Sequence, residues 1–293
     1  MTDRPPSLSD LRREIDGIDD AIHDLIMRRA QIADRVRKAK GAEGGGAVFL
    51  RPGREAAVLR RLVARHGGPF PRRTLVRLWR EIFAVIVSMQ GRFSVAVWVP
   101  ESGDGYLELA RDQYGSHTPA TLHQSLGQVT QEVVEGRATV GVLPLPTAED
   151  PLAWWPQLMS EMAGTPRIVS RLPFAGSRSG KEALSIACLD PEPSGGEDRG
   201  LLALESSAHL SRAGLLDALR DSGFDPVGVM DVRPQGPDVR LTLVEVIGFV
   251  PAGDTRLGSL GDGGHGPISR VVVLGCYAQP FSSESMDGAP SGG

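Results

Sequence analysis

The sequence has few of the residues that build disulfide or metal sites. Of its 293 residues only two are cysteines, Cys188 and Cys276, which are too few for a disulfide framework or a cysteine-based metal site. The six histidines fall in no spacing typical of metal ligands, such as HExxH. We therefore expect a chain with reduced cysteines and no bound metal.

Long apolar runs are absent as well. The strongest runs, at residues 82–89 and 95–99, are much shorter than the roughly 20 residues that cross a membrane. The first ten residues, MTDRPPSLSD, lack the apolar core of a signal peptide. These features predict a cytoplasmic protein that does not enter a membrane.

Neither sign of charge is in large excess. The net charge of −4 gives no reason to expect nucleic acid as a partner. Cations are nevertheless concentrated early in the chain, with acidic residues between them, which suits a small anionic ligand better than a polyanion. For most of these cations a solvated charged face is the alternative explanation. The early cations are Arg28, Arg29, Arg35, Arg37, Lys38, Lys40, Arg51 and Arg54.

The stretch from Ser9 to Lys40 predicts one helix, roughly 48 Å long, with Ser9 as its N-cap. Its apolar residues recur at alternating intervals of four and three, which is the heptad pattern of a helix packed along another helix. One short chain cannot cover such a helix, so we expect a second subunit. This apolar seam consists of Leu11, Ile15, Ile18, Ile22, Leu25, Ile32 and Val36.

Arg29 occupies a position of the apolar seam. A guanidinium on a packing face is costly unless an anion meets it. Lys40 follows eleven residues later, almost three turns, so the two cations project from nearly the same side of the helix. Lys40 could instead simply complement the helix C-terminus. Gln90 interrupts the apolar line of a later helix in the same way, and that line consists of Leu75, Trp79, Ile82 and Ile86.

Two shorter helices are predicted before residue 92. Pro52 is in the first turn of one, which ends before Gly67, so Arg54 and Glu55 lie on its opening turn. A surface pair, or a charge at a helix start, is the alternative explanation for these two residues. The other helix extends from Arg72 to Gln90.

After residue 93 the pattern changes to strands alternating with helices. The order βαβαβ suggests a small parallel α/β unit, and PLAWWPQLMSEMAG is predicted as a further helix. Two more strands precede the linker PEPSGGEDRG. The last segment is similar to a ferredoxin-like βαββαβ fold whose second helix is weakened by glycine.

These patterns predict a multidomain protein. An all-α domain of three helices would occupy residues 1–92, an α/β lobe residues 93–195, and an α+β ferredoxin-like domain residues 196–281. The tail at 282–293 has few apolar residues and is predicted to be disordered.

The first 90 residues resemble the all-helical chorismate mutases. The resemblance is carried by LRREID, MRRAQIADRVRKAK, RPGRE and the terminal Gln90, in the family's order and spacing. It implies an intertwined homodimer that converts chorismate to prephenate in phenylalanine and tyrosine synthesis. This pericyclic rearrangement needs no nucleophile, metal or cofactor. Catalysis comes from holding the dianionic substrate in its reactive conformer and stabilising charge at the breaking ether bond.

The resemblance also assigns roles to two arginines. Arg29 would bind one substrate carboxylate within its own subunit, and Arg12 would reach the other carboxylate across the dimer, because guanidiniums match carboxylate geometry. Taken alone, Arg12 is better explained as a solvated first-turn residue. Arg51 and Ile86 stand where some relatives have an acidic residue and a serine, so minor substrate contacts differ.

Four further residues complete the site that the resemblance implies. Lys40 and Gln90 would donate to the ether oxygen and so meet its developing negative charge. Glu55 would accept from the substrate hydroxyl, and Arg54 would support the pocket.

The rest of the chain resembles the region C-terminal to the mutase in bifunctional chorismate mutase/prephenate dehydratases. FSVAVWVPESGDGY and EGRATVGVLPLPTAED are similar to dehydratase strands, and MDVRP to the ligand motif of the regulatory ACT domain. The Thr-Arg-Phe motif is missing, and about 100 residues suffice for only one lobe. This implies a degenerate lobe without dehydratase activity, followed by an ACT-like domain that either binds an aromatic amino acid or is structural.

Two other functions remain open at the level of sequence. The helical dimer could bind chorismate or prephenate without turnover, as a metabolite sensor. Alternatively, the chain could be a bifunctional enzyme that retains dehydratase activity.

Overall fold

The computed structural model describes residues 6–42, 49–103, 105–147, 153–160, 162–176, 180–260 and 267–287, except for the side chains of residues 40–42. Contacts divide the chain into two compact units. We call Met1–Phe49 with Ile86–Gly91 the helical unit, and Leu50–Val85 with Arg92–Gly293 the sheet unit.

The helical unit is built on one long helix, α1, from Leu8 to Ala42, as predicted. Its N-cap is Ser7, and the predicted cap at Ser9 is wrong. The Ser7 backbone N–H donates to Asp10 Oδ2 over 3.2 Å, and the Asp10 N–H donates back to Ser7 Oγ over 3.2 Å. This reciprocal pair needs an acceptor three residues after the cap. Ser9 has Arg12 at that position, which cannot accept.

The apolar seam of α1 is exposed along its whole length. Between 41% and 63% of each of its seven apolar residues is accessible to water. Contiguous apolar surface of this extent is typical of an interaction site rather than of a solvated face. None of the described helices is long and apolar enough to span a bilayer.

The sheet unit contains the remaining helices and all the described strands. The second and third helices begin and end close to the predicted residues, and α3 matches its predicted bounds. The helices are α2 (Pro52–Ala64), α3 (Arg72–Gln90, whose last residues belong to the helical unit), α4 (Tyr106–Tyr114), α5 (Leu126–Val134), α6 (Arg212–Asp221), α7 (Leu257–Leu260) and α8 (Ser283–Asp287).

The described strands form one mixed sheet in the order β2-β1-β3-β5-β4-β9-β6-β8-β7. They are β1 (Val95–Trp98), β2 (Ala120–His123), β3 (Val140–Pro144), β4 (Arg167–Leu172), β5 (Ala183–Ala187), β6 (Asp198–Ser207), β7 (Pro226–Pro234), β8 (Val239–Ile247) and β9 (Ile268–Ala278).

Both halves of the sheet have the predicted topology. Strand β1 pairs in parallel with β2 and β3, which is the expected βαβαβ unit. Strands β9, β6, β8 and β7 pair antiparallel in that order, as in a ferredoxin-like fold, and the predicted weak second helix is the four-residue α7. The predicted fold class, helices followed by α/β and α+β regions, is confirmed.

The two halves join where β4 pairs in parallel with β9, at Ile168 and Gly275. Gly275 has a φ of 148°, and a Cβ at this position would collide with the backbone of Ile168. Only glycine therefore permits this close approach. The α/β and ferredoxin-like regions share one sheet and, on one face of it, one apolar core that includes Leu143 and Leu201.

The helix predicted at PLAWWPQLMSEMAG is wrong. The described part of this segment contains only a short 3₁₀ helix, Trp155–Met159. Pro156 has no backbone N–H to donate, and both tryptophans are fully buried. Trp154 Nε1 donates to the Pro144 carbonyl over 3.0 Å. Tertiary packing of the indoles therefore decides the local conformation.

The prediction of a disordered tail is wrong for residues 283–287, which form α8. Met286 is buried in a cluster with Leu59 and Phe83 of α2 and α3, and Arg73 Nε binds Asp287 Oδ1 over 2.7 Å. One apolar anchor and one ion pair order a segment whose composition is mostly polar. Residues 288–293 lie outside the described residues.

Replacing Met286 with alanine is expected to lower the free energy of unfolding by about 2 kcal/mol, the lower end for a buried methionine. Urea unfolding measures this change. Met162→Ala is the matched control, because Met162 is exposed, and it should leave stability unchanged. Equal effects of the two substitutions would mean that α8 contributes nothing to the packing of α2 and α3.

Candidate active site

One face of α1 carries the two cations that the sequence pattern singles out. Arg29 is half-buried, Ala33 follows one turn later, and Lys40 follows Ala33 by seven residues. Residues at these intervals lie on the same side of a helix. Lys40 is in the last turns of α1, but its side chain lies outside the described part of the chain.

The end of α3 meets this same face within the helical unit. Gln90 Nε2 donates to the Ala33 carbonyl over 3.1 Å. Ala33 lies between Arg29 and Lys40 along α1, so the structure places the amide of Gln90 beside the Arg29 face. Arg29 and Gln90 each interrupt an apolar stripe of the sequence, and they are therefore neighbours in the fold.

Arg12 is exposed near the start of α1. It precedes Arg29 by seventeen residues, which is roughly 25 Å along a helix. A ligand of the size of a small dicarboxylate cannot contact both side chains of one α1.

Arg54 and Glu55 lie on the first turn of α2, in the sheet unit, as predicted. The Arg54 side chain is exposed, and its backbone N–H donates to Glu192 Oε1 over 3.1 Å. Arg51 Nη2 binds the other oxygen of Glu192 over 2.6 Å. Glu192 thus binds both the side chain of Arg51 and the backbone of Arg54. Nothing in the sequence pattern singles out Glu192.

Glu55 is buried, and its Oε2 accepts from Arg80 Nη1 over 2.8 Å. Only 3% of Arg80 is exposed, and its guanidinium carbon lies 5.1 Å from the centroid of the Phe174 ring. Burial lowers the pKa of Arg80, and the Glu55 carboxylate opposes that shift. Arg80 therefore holds the Glu55 carboxylate in place.

Arg80 was missed, although the sequence contains a signal for it. It lies four residues after Val76 and three before Phe83, both of which are buried on α3. An arginine in an apolar stripe is the same signal that identified Arg29. The predicted apolar line of α3 was a different one, through Leu75, Trp79 and Ile82, which are only partly buried.

Replacing Arg80 with methionine is expected to lower the free energy of unfolding by about 3 kcal/mol, because Glu55 then remains buried without its arginine. Thermal or urea unfolding measures the loss. The double variant Arg80→Met with Glu55→Gln should recover part of it, since the uncompensated charge is removed. Strictly additive losses in this cycle would show that the pair does not couple.

The predicted ligand motif MDVRP lies on β7, and its aspartate is hydrogen-bonded to other side chains of the protein. Asp231 is buried, and its Oδ2 accepts from Trp155 Nε1 and from Arg233 Nε, each over 2.7 Å. Val232 is exposed. Asp231 thus ties β7 to the 3₁₀ helix. Among the described residues, no cluster of histidine, cysteine, aspartate and glutamate is arranged to hold a metal ion.

Comparison with known families agrees with the predicted resemblance of the N-terminal region. Residues 11–91 match the family model described as chorismate mutase type II, so that resemblance is confirmed. A bifunctional chorismate mutase/prephenate dehydratase from Stutzerimonas stutzeri is 34% identical over 141 residues, which cover 47% of this chain and 38% of the relative. The chain therefore spans well under half the length of that relative.

Two solved structures are also similar to part of the chain. The prephenate dehydratase from Streptococcus mutans is 14% identical, with a TM-score of 0.46, covering 64% of this chain and 98% of that one. A prephenate dehydratase in complex with L-Phe from Arthrobacter aurescens is 12% identical, with a TM-score of 0.47, covering 67% of this chain and 95% of that one.

Proposed function

We propose that the chain is a chorismate mutase, which rearranges chorismate to prephenate for phenylalanine and tyrosine synthesis. The observation that carries the proposal is the contact of Gln90 with Ala33, on the face of α1 that bears the half-buried Arg29. A cation and a neutral amide donor meet there within the segment that matches the mutase family. We expect the reaction in the cytoplasm.

The proposed mechanism uses only binding and electrostatics. Arg29 holds one carboxylate of the substrate, which selects the conformer whose reacting carbons are close. Gln90 and Lys40 donate to the ether oxygen, where negative charge develops in the transition state. Because the amide of Gln90 is neutral at every working pH, this residue contributes no acid limb to the pH–rate profile.

We propose that Glu55 accepts from the substrate hydroxyl and that Arg54 supports the substrate, as the resemblance implies. The ion pair with Arg80 supports the role of Glu55, because it fixes the orientation of the carboxylate before substrate binds. Preorganisation of this kind lowers the cost of reaching the transition state.

We further propose that the chain is a homodimer in which α1 packs along α1 of a second copy. The exposed seam of α1 supports this, because a copy of the same helix presents a matching apolar heptad stripe. The distance between Arg12 and Arg29 supports a shared site, in which Arg12 of one subunit completes the pocket of the other.

Loss of chorismate absorbance in the presence of the purified full chain tests the activity directly. We expect turnover well above the uncatalysed rate. The absence of turnover at micromolar enzyme would refute the proposed mutase activity. Calorimetric binding of chorismate without turnover would instead favour a metabolite sensor, and phenylpyruvate formed from prephenate would show that dehydratase activity is retained.

For the ferredoxin-like region we propose an ACT-like role, either as the site of an aromatic amino acid effector or as a structural element. The mutase assay with phenylalanine or tyrosine added distinguishes the two. A changed rate, together with calorimetric binding, supports an effector. Unchanged rates and no binding support the structural role. That role agrees with the hydrogen bond that the Asp231 carboxylate accepts from Trp155.

A further inference from the structure

The segment between β5 and β6 packs along α2 within the sheet unit. Arg60 of α2 donates through Nη1 to Ser194 Oγ over 2.5 Å and through Nη2 to the Glu197 carbonyl over 2.5 Å. Gly53 precedes Arg60 by seven residues, so the two lie on the same face of α2. A Cβ at Gly53 would lie 2.6 Å from the Glu192 carbonyl oxygen, and glycine therefore permits this close approach. The segment is thus held against α2 at two places, two turns apart.

The first turn of α2 is capped by Glu192 of this segment. The N-cap residue of α2 is Arg51, and a guanidinium has no acceptor to offer the N–H groups of a first turn. Glu192 Oε1 accepts instead from the Arg54 N–H over 3.1 Å, which is the N–H that an N-cap side chain usually binds. A carboxylate is also favourable at the positive end of a helix. The cap therefore comes from a residue 138 positions away from Arg54.

The ion pair between Glu192 and Arg51 contributes less than this cap. Glu192 Oε2 accepts from Arg51 Nε over 3.0 Å and from Nη2 over 2.6 Å. Because 54% of the Arg51 side chain is exposed, the pair adds little stability. We therefore expect the hydrogen bond to the Arg54 backbone to account for most of the effect of Glu192 on α2.

The capped turn carries two of the proposed substrate contacts. Arg54 bears the capped N–H, and Glu55 is the next residue, whose own N–H donates to the Arg51 carbonyl over 3.0 Å. Arg80 binds the Glu55 carboxylate, but it does not hold the backbone of the turn. A first turn without a cap frays, and fraying would move the side chains of both Arg54 and Glu55.

We infer that Glu192 is a positioning residue of the proposed mutase site, because by capping α2 it holds Arg54 and Glu55 in the orientation in which they meet the substrate. The inference rests on the proposed mutase function. Glu192 lies outside residues 11–91, which match the mutase family. The proposed site therefore depends on a residue from the C-terminal part of the chain.

Replacing Glu192 with alanine in the full chain is expected to raise KM for chorismate about tenfold and to change kcat by less than about threefold. The α2 contacts hold the substrate before and during the reaction, whereas the proposed donors to the ether oxygen, Lys40 and Gln90, are not on α2. A purely structural role of Glu192 would leave KM unchanged and lower kcat in proportion to the folded fraction. Initial rates over a range of chorismate concentrations measure both constants, and circular dichroism at the assay temperature measures the folded fraction.

Two further variants make the test specific. Glu192→Gln keeps an oxygen that accepts from the Arg54 N–H, so its KM should rise by no more than about threefold. Asp190→Ala is the matched control, because Asp190 is an exposed carboxylate of the same segment, and its KM should equal that of the parent chain.

Three results would overturn the inference and leave the mutase function standing: an unchanged KM in Glu192→Ala, a loss of activity that the folded fraction explains, or equal defects in Glu192→Ala and Glu192→Gln. A parent chain without turnover would overturn the mutase function, and the inference with it.

Discussion

Replacing Arg29 with alanine is expected to lower kcat/KM for chorismate by about a thousandfold. The guanidinium of Arg29 is half-buried, and it lies one turn from Ala33, which Gln90 contacts. Without its fork of donors, one substrate carboxylate has no fixed position, and the reactive conformer is no longer selected. Alanine favours helix formation, so α1 should remain helical and the oligomeric state unchanged.

Arg28→Ala is the matched control for this substitution. Arg28 is the adjacent residue of α1 and is exposed, so the same side chain is removed from a different side of the helix. Its kcat/KM should stay close to that of the parent chain. Initial rates of chorismate loss measure both variants, and circular dichroism reports whether α1 is intact. Near-normal activity of Arg29→Ala, or equal losses in both variants, would contradict the proposed site.

Features that depend on periodicity along the chain could be predicted from the sequence. The bounds of α3 and the first turn of α2 follow from apolar spacing and from Pro52, because these signals act within a few residues. Arg29 and Gln90 were found because each interrupts an apolar stripe. Their proximity could not be derived, since it depends on how α3 meets α1.

Features that depend on contacts between distant residues could not be predicted. Trp155 and Asp231 are joined by one hydrogen bond across 76 residues, and nothing local to either residue indicates the other. The same is true of the pairing of β4 with β9, which requires a glycine at position 275. The helix start differs from these cases, because the signal for an N-cap at Ser7 is local: Asp10, three residues later, is the acceptor, and Ser9 has no acceptor at that spacing.

Replacing Ile22 with glutamate is expected to convert the proposed dimer into a monomer. Ile22 lies in the middle of the apolar seam, and half of it is exposed in the single chain. Burying a side chain of this size stabilises by about 1.5–3 kcal/mol, and the substitution removes that contribution from both subunits. It also places a carboxylate in an apolar interface, where a charge without a partner is strongly unfavourable.

Gln31→Glu is the matched control, because Gln31 is exposed on the opposite side of α1 from Ile22 and receives the same new charge. It should remain dimeric and active. Light scattering after size exclusion measures the mass, and the chorismate assay measures the activity of the same fractions. Ile22→Glu should lose activity together with its dimer, because Arg12 lies roughly 25 Å from Arg29 along α1 and can complete a pocket only in a second subunit. A fully active monomer would show that each chain holds a complete site, and the proposed role of Arg12 would then be wrong.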